Sequence, residues 1–133
     1  MKVVLDTHMW VWWLLSDSPL SERERKALDR IAADRGIYLP AICQWEAQML
    51  HGKGRIATPI PFPIWLRRAT APEMLTVLPL NADAVIAMAD LPGTFHGDPA
   101  DRMIVATARA HDLPLATRNK SIRKSRLVKI WKP

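Results

Sequence analysis

Three carboxylates stand where acids are seldom left alone. Asp6 closes the apolar run Val3-Val4-Leu5, Glu46 fills the i+4 position of the stripe Ile42, Trp45 and Met49, and Asp101 shares a helical face with Ile104, Val105 and Ala108. Acids directed at an apolar interior need a partner base or a bound cation. No base falls on the same faces, so the pattern reads as a cation site. A bound dication keeps such groups ionised, whereas desolvation alone pushes them toward protonation. Asp98 and Asn119 are expected at the same place. Carboxylates and an amide form an all-oxygen donor set, which suits Mg²⁺ or Mn²⁺ and not zinc. The matching chemistry is metal-assisted hydrolysis of a phosphodiester.

The elements that must bring these residues together are legible from apolar runs and cap signals. Strands are expected at 2–6, 37–39, 75–78, 113–116 and 127–131, with helices at 8–16, 22–35, 41–51, 64–70, 81–91 and 99–110. Thr7 is placed to cap the first helix, Ser21 and Glu24 have capping-box spacing, and Asp98-Pro99 is a strong helix start. Strands alternating with helices imply a three-layer α/β/α sandwich around a parallel sheet of about five strands, spanning 1–133 as one domain. Ligands in such folds bind where the carboxyl ends of the strands meet the helix N-termini. Asp6, Glu46, Asp98, Asp101 and Asn119 all fall on that edge. His8 and His96 approach it too, while His51 and His111 sit at helix ends.

Each acid also has a plain structural reading. Asp6 caps the helix after its strand, Glu46 pairs with Arg102 or Arg118, Asp98 is an N-cap, and Asp101 reciprocates that cap. It is the convergence of the set that favours chemistry.

Composition sets the outer bounds. The chain has 133 residues, 49% of them hydrophobic, enough to bury roughly two-thirds of the unfolded surface. With 19 Lys and Arg against 13 Asp and Glu, the net charge is +6, which favours anionic partners. Arg118, Lys120, Arg123, Lys124, Arg126, Lys129 and Lys132 follow Leu113 with no acid among them, a stretch suited to a phosphate backbone or merely to solvation. The lone Cys43 excludes an internal disulfide and reads as a small buried hydrophobe in a reducing cytoplasm. The apolar stretch 3–15 is interrupted by Asp6, Thr7 and His8, so neither a membrane span nor a signal peptide is expected. A G-x-x-x-x-G-K phosphate loop is absent, which argues against an NTPase.

Taken together, VVLDTHMWVWWL, ICQWEAQM, HGDPADRMIVATA, LPLATRN and VKIW make the chain resemble the PIN-domain family, in particular the VapC-type toxins of bacterial toxin–antitoxin pairs. The Asp-Pro-Ala-Asp-Arg block after an N-terminal Asp-Thr-His is the most specific part of the match. The resemblance implies Mg²⁺-dependent endoribonuclease activity, with Mn²⁺ as a possible substitute, a homodimer, and inhibition by a cognate antitoxin. It implies an acidic cluster of Asp6, Glu46 and Asp101 with Asp98 auxiliary, Asp6 and Asp101 being the direct metal ligands. Asn119 stands where the family often has a fourth acid, which favours one metal over two. Part of the Trp-rich helix, together with the 58–63 loop and Trp65, is expected to form an antitoxin groove or a dimer seam, with ordinary core packing as the alternative. Two other functions stay open: a catalytically inactive RNA-binding module, and an aspartate phosphotransfer protein with Asp6 as nucleophile. The second lacks the neighbouring acid it would need, because His8 follows Thr7 and Val4-Leu5 precede Asp6.

Overall fold

The computed structural model describes residues 1–95 and 97–133; the expectation for His96 lies outside the described residues. Four parallel strands form the centre, β1 (Val3–Leu5), β2 (Ile37–Pro40), β3 (Thr76–Leu78) and β4 (Leu115–Ala116), in the order β3-β2-β1-β4. Register pairs Val3 with Ile37 and Val4 with Leu115. Val3, Val4 and Leu5 are fully buried although successive side chains point to opposite faces, so both faces of β1 are covered. The crossovers are helices: α1 (Thr7–Leu14) and α2 (Glu22–Ala33) before β2, α3 (Ile42–Gly52) and α4 (Phe62–Ala69) before β3, α5 (Ala82–Ala89) and α6 (Pro99–Ala110) before β4.

The expected fifth strand is reduced to a bridge between Leu115 and Ile130. The Leu115 amide donates to the Lys129 carbonyl (2.8 Å) and the Trp131 amide to the Leu115 carbonyl (2.9 Å). With β4 only two residues long, there is no partner for a longer ladder. An unexpected short helix, α7 (Lys120–Ser125), follows β4 and is capped by Asn119.

Local signals explain most boundaries. Ser21 and Glu24 form the capping box of α2. That helix ends with Arg35 in the left-handed region and the Gly36 amide donating back to the Ile31 carbonyl (2.9 Å), a Schellman-type closure. Gly36 is needed for space, since a Cβ there would collide with the Met1 carbonyl. Helix α4 begins within the proline-rich stretch, two residues earlier than expected, because Pro63 is compatible with a first helical turn.

The Trp-rich helix is mostly core. Trp10 is fully buried, its ring 5.4 Å from that of Trp65, and its Nε1 donates to the Ala69 carbonyl (3.3 Å). Trp13 is buried with Nε1 donating to Asp29 Oδ1 (2.8 Å). Trp10, Trp13 and Trp65 are therefore not free to line a partner groove as the sequence suggested; two indole N–H groups find acceptors inside the fold. Trp12 remains half-buried and, with Val11, Leu14, Leu15 and residues 55–59, lines a groove of about 610 Å³. Among the described residues, no helix is long and apolar enough to cross a membrane.

Candidate metal-binding active site

Asp6 is the first residue after β1 and the N-cap of α1. Its Oδ1 accepts from the Met9 amide (2.9 Å), so Asp6, not Thr7, is the cap. Capping does not remove it from the site: Asp6, only 8% exposed, lines a cleft of about 370 Å³ with Thr7, His8, Trp12, Glu46, Asp98, Asp101, Ile104, Arg118 and Asn119. Asp6, Glu46, Asp98, Asp101 and Asn119 thus reach one cavity at the carboxyl ends of the strands.

The path to that cavity differs for Glu46. The buried positions of α3 are Cys43 and Ala47, and Trp45 is 53% exposed, so the stripe Ile42-Trp45-Met49 is not the core face. Apolar content on a short helix does not fix which side meets the sheet. Glu46 lies at the flank of the true core face, half-buried, and its Oε1 accepts from the Thr7 hydroxyl. Asp101 is placed as expected, half-buried one turn before Ile104 and Val105, both buried.

The cap of α6 comes from Asp98, whose Oδ1 accepts from the Asp101 amide (2.7 Å). The side chain of Asp101 turns instead toward Asn119, whose Nδ2 donates to Asp101 Oδ2 (3.4 Å). Asn119 Oδ1 accepts from the Ile122 amide (3.0 Å), so its oxygen is committed to capping α7. Sequence reasoning missed Thr117. It is buried, its side chain helps hold the Asp6 carboxyl down, and its Oγ1 accepts from the Asn119 amide (3.1 Å). A threonine directly after β4 and two residues before Asn119 was the available signal.

Electrostatics make the cleft receptive to a positive charge. Burial, followed by the charges of Asp98, Glu46 and Asp6, pushes the Asp101 carboxyl up to about 6. Burial also raises Asp6 above the ordinary carboxylate range, partly offset by the bonds from Thr117 and Met9. None of these carboxylates is ion-paired among the described residues. Arg118 pairs with Glu24 (2.6 Å), and Arg102 donates to the Phe95 carbonyl (2.9 Å), so neither takes up Glu46.

Among the described residues, no three acid, imidazole or thiol groups stand close enough to enclose an ion by themselves. Asp6, Glu46 and Asp98 each commit one carboxyl oxygen to a protein donor. A shell of two carboxylates completed by water is nonetheless what Mg²⁺ ordinarily takes. The all-oxygen donor set, crowded and uncompensated, fits such an ion.

Comparison with known proteins bears on the family and the fold. The sequence matches the PIN domain family over residues 3–126. It is 36% identical over 124 residues to Ribonuclease VapC22 of Mycobacterium tuberculosis, covering 93% of this chain and 92% of that protein. In fold it is similar to a chain of FitAB bound to an IR36 DNA fragment (TM-score 0.70, 24% identity, 98% of this chain and 94% of that one). It is equally similar to a chain of Rickettsia felis VapBC2 bound to a promoter DNA fragment (TM-score 0.69, 16% identity, 98% of both chains). At these identities the structures speak to fold alone, and the family follows from the sequence match: this chain belongs to the PIN-domain family.

Proposed function

We propose that this chain is a Mg²⁺-dependent endoribonuclease, able to use Mn²⁺, and the toxin of a toxin–antitoxin pair. The observation that carries this reading is the cleft of four carboxylates, Asp6, Glu46, Asp98 and Asp101, none of them ion-paired among the described residues. Its similarity to Ribonuclease VapC22 supports the choice of RNA. When bound, the dication supplies Lewis-acid charge at the scissile phosphate and lowers the pKa of a coordinated water. Asp6 and Asp101 are the residues that bind it. Glu46, with Oε1 fixed by Thr7, keeps Oε2 for the proton of the attacking water. Asn119 positions Asp101, and Asp98 fixes the first turn that presents it.

The basic end supports RNA binding less uniformly than the sequence suggested. Arg118 is paired with Glu24 and Arg123 donates to the Thr117 carbonyl (2.9 Å), whereas Lys120, Lys124, Lys129 and Lys132 are exposed. The cognate antitoxin is expected in the groove of α1 and residues 55–59. A homodimer would cover Trp45, Val85 and Ile86, large apolar side chains left exposed. The expected place of action is the cytoplasm.

The test is cleavage of RNA by the purified chain and growth arrest on its expression. Both should vanish in Asp6→Asn, and EDTA should silence the native chain until Mg²⁺ or Mn²⁺ is returned. Undiminished cleavage by Asp6→Asn would refute the proposed site.

A further inference from the structure

The lip of the acid cleft carries a strip of planar groups that the hydrolytic reading leaves unused. His8 and Trp12 are one helical turn apart on α1, their ring centroids 5.3 Å apart at an interplanar angle of 47°. The Arg118 guanidinium lies 5.7 Å from the Trp12 centroid, within cation–π range. All three line the cleft that holds Asp6, Glu46 and Asp101. Glu24 immobilises the arginine: its Oε1 accepts from Arg118 Nη2 (2.6 Å) and from the Ser21 amide (3.0 Å) of the capping box. Solvent still reaches this strip, since His8 is exposed and 40% of the Arg118 side chain is accessible.

The geometry points to a stacking subsite for one unpaired nucleobase next to the scissile phosphate, built from His8, Trp12 and Arg118. The inference rests on the ribonuclease reading and names how that site grips its substrate. A phosphate is the poorer fit on this strip, because the guanidinium charge is already matched by Glu24. A flat, polarisable surface suits a base, and aromatic and guanidinium planes are the usual platforms for splayed-out RNA bases. A base inside a duplex has both faces covered, so the subsite selects single-stranded or looped RNA.

The experiment compares a short RNA that the chain cleaves with versions in which the base on either side of the scissile bond is replaced by an abasic ribose. For the native chain, kcat/KM should fall about tenfold or more at one of the two positions. In Trp12→Leu and in Arg118→Met, the ratio between intact and abasic substrate should collapse toward one. A purely structural role for this network would lower all substrates alike and leave the ratio untouched, which would overturn the proposal. So would a native ratio within twofold at both positions. If no RNA is cleaved at all, the ribonuclease reading fails separately. The platform is then judged by 2-aminopurine in a short RNA, whose fluorescence the native chain should quench and Trp12→Leu should not. Equal quenching, or none by the native chain, would overturn it.

Discussion

Replacing Asp101 by Asn should make the metal-free protein more stable while removing its activity. Asp101 has a carboxyl raised from 3.8 to about 6 by burial and by three neighbouring acids. A group whose folded pKa is raised binds more protons folded than unfolded between those values, so stability falls as pH rises through that window. Two pH units correspond to about 3 kcal/mol at full strength. Asp101 is only half-buried, and solvent screening reduces this to roughly 1.5 kcal/mol. Removing a negative charge from the first turn of α6 costs about 0.5 kcal/mol. Asp101→Asn should therefore gain about 1 kcal/mol at pH 7.5 in EDTA, a rise of roughly 4 °C in Tm. Near pH 4, where Asp101 is already protonated in the folded chain, the gain should disappear. Saturating Mg²⁺ should reverse the order, because a ligand at a hundred times its Kd stabilises the native chain by about 2.7 kcal/mol. Calorimetry at the two pH values, with EDTA and with Mg²⁺, checks all four states. An Asn variant no more stable than the native chain in EDTA at pH 7.5, with Mg²⁺ moving neither protein, would refute the reasoning.

Asp6→Asn should abolish cleavage yet keep the α1 cap, since Asn caps as well as Asp, whereas Asp6→Ala should also lose about 1 kcal/mol in urea unfolding. Asn119→Asp should preserve the α7 cap and tighten Mg²⁺ and Mn²⁺ binding measured by calorimetric titration, because it adds charge beside Asp101; unchanged affinity would place Asn119 outside the ion's reach. Lys120→Ala with Lys124→Ala should reduce the slope of log K against log salt for single-stranded RNA by about 1.4 without altering Tm. Arg123 is the wrong residue for that test, because its bond to the Thr117 carbonyl ties α7 to the site. Trp45→Ser should shift light scattering toward a monomer if α3 forms the dimer seam.

The sequence announced the site better than the surfaces around it. Asp6 and Asp101 were legible because a strand end and an Asp-Pro helix start are local signals that topology then brings to one edge. Asp6 caps α1 and still lines the cleft, so the plain reading does not exclude the chemical one. Glu46 reached the cleft although the face assigned to α3 was wrong: Trp45 points to solvent and Cys43 and Ala47 to the core. Small residues mark a helix face packed closely on a sheet, and a hydrophobicity pattern undervalues them. The fifth strand shrank to Ile130 because pairing depends on the length of β4, which the sequence of 127–131 does not record. Helix α7 is only six residues long and mostly polar, so no apolar periodicity marks it, though Asn119 three residues before Ile122 is a cap signal. The salt link of Arg118 to Glu24 joins residues 94 positions apart, and no local pattern announces it.

Anomalous diffraction from crystals soaked in Mn²⁺ tests most directly whether the acids of the cleft hold a divalent ion. A single strong peak bonded to carboxyl oxygens of both Asp6 and Asp101, absent in Asp101→Asn crystals, is the expected result. A protein that cleaves RNA in Mn²⁺ but shows no peak at those carboxylates, or shows one elsewhere, would contradict it.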